Sequence, residues 1–172
     1  IDEEKISEFF ELEQTFKKLF TIIKSFFGIS VREIIYENND WKIDNSIKIL
    51  ELKKNNIVLG HLLLDLFPRE GKFKHFAFSE LVSDSSLQEE KLGIIIGNFT
   101  PAEGKTVVLL KFHELISLFH EFGHGLHHLL TQVEDLSVSG INGVEWDAVE
   151  LPSQFMENFC WEWDVVNGMT RH

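Results

Sequence analysis

One stretch constrains this chain more than any other: a strongly apolar run that also carries two histidines and a glutamate. Leu115, Ile116, Leu118, Phe119, Phe122, Leu126, Leu129 and Leu130 surround the segment His120-Glu121-Phe122-Gly123-His124. The helical spacing of the apolar positions predicts a long helix from about His113 to Gln132. On such a helix, residues i and i+4 lie one turn apart on the same face, so both imidazoles can reach a single ion. Glu121 falls about 100° round the axis from His120, poorly placed for that ion but well placed for a water bound to it. Burying two imidazoles and a carboxylate among leucines and phenylalanines is costly unless they are paired or bound to metal. The pattern is that of a zinc hydrolase, and the competing reading is a pair of satisfied core histidines in a helical bundle. Gly123 and Gly125 within the helix each cost on the order of 1 kcal/mol relative to Ala, so another element is expected to approach that face closely.

The rest of the chain predicts an α+β fold, predominantly helical, in a single domain over residues 1–172. From Glu8 to Gly28, Phe9, Leu12, Phe16, Leu19, Phe20, Ile23 and Phe27 recur at threes and fours, an amphipathic helix closed by Gly28. Ile47 to Leu52 and Ile57 to Phe67 read as strands joined by a turn at Lys53-Lys54-Asn55-Asn56. Pro68 to Gly71 make a second turn, Phe73 to Phe78 and Leu92 to Phe99 are further strands, and Thr106 to Leu110 is strand-like. The expected sheet is small and mostly antiparallel. After a loop with Ser137, Ser139, Gly140 and Gly143, a second helix is predicted from about Asp147 to Val165. Pro152 lacks an N–H and clashes with the carbonyl four residues back, so this helix begins near Val149 or is kinked there.

Catalytic zinc takes three protein ligands and leaves a position for water, so a third ligand is expected from a second element. Glu134, Asp135, Glu145, Asp147, Glu150 and Glu157 follow the motif. Glu150 is the best placed, because on a helix it shares one face with Asp147, Gln154 and Glu157. Such a stripe supplies one ligand and further carboxylates to orient the imidazoles; the alternative for Asp147 and Glu157 is an ordinary solvated face, and for Glu145 that alternative is favoured. His127, seven residues beyond His120, is a candidate orienting partner or a polar-edge histidine. His61, His75 and His113 have no ligand-like spacing. Cys160 reads as a small core residue beside Phe159 and Trp161.

Acidic residues outnumber basic ones 28 to 16, a net charge of −12. Most of the surface then repels phosphate backbones and anionic membranes, which argues against nucleic acid or membrane partners. No apolar run approaches the roughly 18 residues of a membrane span. A lone cysteine allows no internal disulfide and fits a reducing, cytoplasmic setting. The chain opens on Ile1 and closes on His172 without a finishing element, as expected of part of a larger protein.

The string His-Glu-Phe-Gly-His-Gly-Leu-His-His at 120–128, with Trp-Asp-Ala-Val-Glu-Leu-Pro-Ser-Gln-Phe-Met-Glu-Asn at 146–158, closely resembles the thimet oligopeptidase and neurolysin family of zinc peptidases. Its bacterial members are the most similar. The segment Gly60 to Gly71, with Leu-Asp-Leu-Phe-Pro-Arg-Glu-Gly, looks like the family's sheet region. Lys111-Phe112-His113-Glu114 departs from the His-Asp pair of bacterial members at Phe112 and His113. The resemblance implies that His120, His124 and Glu150 hold one Zn2+ and that Glu121 is the catalytic acid/base. It also implies a zincin-like catalytic lobe, part of the catalytic domain of a larger protein, beside a channel that admits only short, unstructured peptides. The expected activity is zinc-dependent endopeptidase hydrolysis of oligopeptides, with an edge strand from the region 57–80 binding the substrate backbone. The alternative is a non-catalytic zinc-binding scaffold.

Overall fold

The computed structural model describes residues 2–35, 44–82, 90–102, 104 and 107–170. The helix predicted from Glu8 to Gly28 begins only at Leu12, as α2 (Leu12–Phe27), and a separate short helix, α1 (Glu3–Ser7), precedes it. The division falls where Phe10 and Glu11 are extended and form isolated bridges to Thr170 and Leu109. Backbone bonds from Leu12 N–H to the Val108 carbonyl and from Leu110 N–H to the Phe10 carbonyl complete that junction. This tertiary pairing outweighs a helical periodicity that runs unbroken through the sequence. Gly28 closes α2 as expected, in the left-handed conformation with φ 70°.

Five strands form one sheet in the order β1-β2-β3-β5-β4: β1 (Ile29–Ile34), β2 (Lys48–Lys54), β3 (Ile57–Asp65), β4 (Ala77–Val82) and β5 (Lys91–Ile96). β1 was not anticipated; Arg32 and Glu33 interrupt its apolar alternation, and Arg32 is tied across the ladder to Glu51 at 2.6 Å. The hairpin between β2 and β3 turns on Asn55 and Asn56, both at positive φ, the backbone that two-residue hairpin loops require. The sheet is mostly antiparallel, as expected, but β3 and β5 pair in parallel. The strand expected at Phe73–Phe78 begins instead at Ala77, because the residues before it belong to a pinned turn. Lys105 and Thr106, within the predicted loop and strand-like stretch, lie outside the described residues, and Leu109 contributes only a bridge.

That turn is organised by a buried ammonium group. Lys72, with its side chain only 3 % exposed, lies 2.8 Å from an Asp65 carboxylate oxygen. It also donates to the carbonyls of Asp65, Phe67 and Gly97 at 2.9, 2.6 and 2.6 Å. Arg69 binds the same carboxylate with both terminal nitrogens at 2.6 and 2.7 Å. Burial pushes the Asp65 carboxyl up, but Arg69 and Lys72 outweigh it and hold the group below the usual carboxylate range. The ends of β3 and β5 are thereby locked together, and the chain is delivered onto the edge of the sheet as β4.

The motif helix, α3 (Phe112–Leu130), lies close to its predicted bounds and packs on the sheet through β3, β4 and β5. Leu115, Leu118, Phe119 and Phe122 are fully buried in a continuous core with Leu62, Leu64, Ile95 and Phe99. A methyl group on Gly125 would come 3.1 Å from the Leu62 side chain, a tight contact that marks how closely α3 lies on the sheet there. The second predicted helix is broken up. It becomes α4 (Leu151–Glu157), a 3-10 turn at Asn158–Trp161, and α5 (Trp163–Met169). Pro152 sits in the first turn of α4, where its missing N–H is harmless. No helix among the described residues is long and apolar enough to cross a membrane.

Replacing Lys72 by Met leaves three part-buried carbonyls without their shared donor and removes one of the two cations on Asp65. A loss of about 3 kcal/mol is expected in chemical denaturation; a loss under about 1 kcal/mol would show that this cluster does not organise the turn.

Candidate active site

His120 and His124 project from α3 toward α4, and Glu150, the residue that caps the N-terminus of α4, projects back. The His120 Nε2 and His124 Nε2 atoms lie 3.1 and 3.0 Å from the same oxygen of Glu150, Oε2. Ligand atoms from the three residues all lie within 4.8 Å of one another. A tetrahedral metal with bonds of about 2.0–2.1 Å has ligand–ligand edges near 3.3 Å, so two imidazole nitrogens and a carboxylate at these separations fit zinc. Three protein ligands leave the fourth position for water. Among the described residues, this is the one group of histidine, cysteine and acidic side chains so arranged.

The convergence depends on how closely the helices approach. A Cβ built on Gly123 would stand 2.5 Å from both the Pro152 carbonyl oxygen and the Ser153 Cα. The glycine expected to make room for a neighbour therefore does so for the first turn of α4. Glu150 makes no capping bond to its own helix, and its carboxylate turns to α3. Ser153, fully buried, holds it there: its hydroxyl lies 2.8 Å from Glu150 Oε2 and 2.8 Å from the Glu150 carbonyl. Burial pushes the Glu150 carboxyl up, but Ser153, His124 and His120 prevail and keep it below the ordinary carboxylate range.

Glu157, at the far end of α4, lies 2.6 Å from His120 Nδ1. A carboxylate on Nδ1 favours the tautomer whose proton is there, leaving the Nε2 lone pair facing Glu150. His124 has no such partner; its Nδ1 is buried without a hydrogen bond, and the ring stacks on Phe78 of β4 with centroids 6.5 Å apart. Burial holds its pKa down and so favours the neutral, ligating form. Glu121 is buried beside the cluster, 7 % exposed. Burial raises its pKa, His120 and a hydrogen bond from the Phe78 backbone pull it partly back, and the Glu150 charge adds to the rise.

Two expected orienting residues are not brought to the cluster. Asp147 lies exposed in the turn before α4 rather than on a shared helical face, because Pro152 delays the helix start; no side-chain hydrogen bond or ion pair involves it among the described residues. His127 stands two turns beyond His120, about 10.5 Å along the axis. It lines an apolar pocket of about 750 Å3 with Phe27, Leu126, Leu130, Pro152 and Phe155, and burial lowers its pKa. Glu145 is exposed in the same turn as Asp147. Cys160 is fully buried as expected, its thiol pushed up to about 12 by burial and by the nearby Glu157 charge.

Ser153 and Phe78 had not been assigned a role. Ser153 was legible as a hydroxyl one helical turn after Glu150, whereas Phe78 is joined to the motif only by the sheet topology. Ser153→Ala is expected to weaken Zn2+ binding by roughly 10- to 100-fold in competition with a chelating dye, with the circular dichroism spectrum unchanged. An unaltered affinity would mean that the hydroxyl does not hold the carboxylate in place.

Comparison with known proteins identifies the family of the chain. The model of Peptidase family M3 matches residues 1–172. The chain is 39 % identical over 178 residues to Oligopeptidase A of Escherichia coli (strain K12), covering 100 % of this chain and 26 % of that protein. It is 33 % identical over 181 residues to the organellar oligopeptidase A, chloroplastic/mitochondrial, of Arabidopsis thaliana, covering 100 % of this chain and 23 % of that one. Saccharolysin of Saccharomyces cerevisiae (strain ATCC 204508 / S288c) is 31 % identical over 182 residues, covering 100 % and 25 %. The chain spans about a quarter of the length of these relatives. With a family match that runs from its first residue to its last, the chain belongs to Peptidase family M3.

Proposed function

We propose that this chain forms part of the zincin-like catalytic lobe of a larger cytoplasmic enzyme, an endopeptidase that uses one Zn2+ to hydrolyse short, unstructured oligopeptides. The observation that carries the reading is the meeting of His120, His124 and Glu150 within 4.8 Å beside a buried Glu121, in a member of Peptidase family M3. The relatives' names, oligopeptidase among them, support the substrate class.

Zinc held by His120, His124 and Glu150 would lower the pKa of a water toward about 7 and polarise the scissile carbonyl. The remaining work falls to the chain's own groups. The Glu121 carboxylate accepts a proton from the attacking water and releases it to the leaving amine. Its raised pKa suits both halves of that task, since a group far below the working pH is a poor donor. Glu157 keeps a proton on His120 Nδ1, and Ser153 keeps Glu150 Oε2 aimed at the imidazoles. The sheet has the means to hold a peptide. β3 is interior, but β4 pairs only with β5 among the described residues, so its outer edge is open to strand addition. Phe78 of that strand meets both Glu121 and His124.

A non-catalytic zinc scaffold would use the same three ligands, but it has no need of a buried acid beside an open position, and Glu121 is such an acid. In the full-length protein, Glu121→Gln is expected to lower hydrolysis of a quenched fluorescent peptide by roughly 10²- to 10⁴-fold while retaining zinc. Equal activity in the wild type and this variant would sink the proposed base. Glu150→Ala is expected to lose zinc and Glu145→Ala to keep it, as measured by metal content; the opposite result would point to a different ligand set.

A further inference from the structure

β4 stands beside the site, paired with β5 along one side and packed against α3. It is a six-residue edge strand whose register with β5 shifts between Glu80 and Val82. Two of its side chains, Phe78 and Glu80, face α3. The Phe78 ring packs against His124 and, with centroids 5.6 Å apart, against His128. Glu80 joins three segments through one carboxylate. Its Oε1 accepts a hydrogen bond from Asn142 Nδ2 at 2.9 Å, and Asn142 lies in the connection between α3 and α4. Its Oε2 is 3.5 Å from His128 Nδ1, a close contact without hydrogen-bond geometry, and burial holds the His128 pKa down and favours the neutral ring. His128, from the last turn of α3, is 1 % exposed.

An apolar side chain at position 80 would hold β4 to α3 more cheaply, because burying a carboxylate and an imidazole carries a desolvation cost. What a polar contact adds is register. Hydrophobic packing tolerates sliding, whereas a one-residue slip of β4 would turn Phe78 and Glu80 to the opposite face. A bond from Asn142 to Glu80 is satisfied in one alignment. The register shift that follows, between Glu80 and Val82, bends the strand directly beyond the position where this bond is made.

We propose that Glu80, through Asn142 and His128, is a positioning residue for the peptide substrate: it sets the register of β4 so that the open edge presents its backbone groups at a fixed place relative to Glu121. The inference rests on the endopeptidase reading and on strand addition at β4. It assigns Glu80 a part in binding peptide and none in holding metal or moving protons.

The test is steady-state hydrolysis of a quenched fluorescent peptide by the full-length protein, with zinc content measured alongside. Glu80→Ala is expected to raise KM about tenfold, with kcat within about twofold and zinc unchanged, the pattern of lost substrate binding. Asn142→Ala removes the same hydrogen bond from the loop side and is expected to move KM in the same direction. Glu80→Gln keeps an oxygen for Asn142 and is expected to recover most of the wild-type KM. If Glu80→Ala does not fold, Asn142→Ala and Glu80→Gln decide the matter between them. A fall in kcat at constant KM, an unmoved KM in Asn142→Ala, or a glutamine as damaging as alanine would overturn the proposal. An inactive wild type would overturn the endopeptidase reading and this proposal with it, whereas an active wild type with KM untouched overturns this proposal alone.

Discussion

The contact on which everything else depends is the one between two backbones at Gly123. α3 carries the imidazoles and α4 carries the carboxylates, and neither helix alone assembles a centre. Only a residue without a side chain lets the Pro152 carbonyl and the Ser153 Cα come as close as they do. Glu150 and Glu157 then reach the two histidines from opposite ends of one short helix. The intrinsic cost of glycine in a helix, about 1 kcal/mol, is thus set against the loss of the contacts that bring Glu150 and Glu157 to the histidines.

The half of this arrangement that α3 carries was legible in the sequence because it is local. Spacing of four residues places His120 and His124 on one helical face in any context, and a glutamate adjacent to one of them can hardly be elsewhere. Glu150 was also legible, but only in part: the sequence puts it on a helical stripe beginning at Asp147, whereas Pro152 starts the helix later and leaves Asp147 in solvent. Glu150 reaches the histidines because it caps that helix and its carboxylate is free to turn away from it. Glu157 lies a full helix length beyond, and it meets His120 from the other end of α4.

What the sequence left hidden depends on distant pairings. Phe10 and Glu11 sit in an unbroken amphipathic pattern, yet their backbones pair with Thr170 and Leu109, and local propensity yields. β1 was obscured by Arg32 and Glu33, charges that are tolerable because the strand lies at the sheet edge and Arg32 finds Glu51 across the ladder. The parallel pairing of β3 with β5 carries no local signature at all. Lys72 was the least readable of these, because a lysine in a polar turn is ordinarily solvated, and only the folded chain surrounds it with oxygens.

The pairings of Phe10 with Thr170 and of Glu11 with Leu109 also bear on how the molecule comes together. Contacts between residues so far apart in the chain must meet a loop-closure entropy before they return any stabilisation. The imidazoles of α3 are neighbours as soon as that helix forms, but α2 and α5 are clasped beside it only once both ends have been brought in. Every residue of the candidate site lies between Phe78 and Glu157, and yet the backbone that clasps the helices beside it comes from positions 10 and 170, near the two ends of the chain.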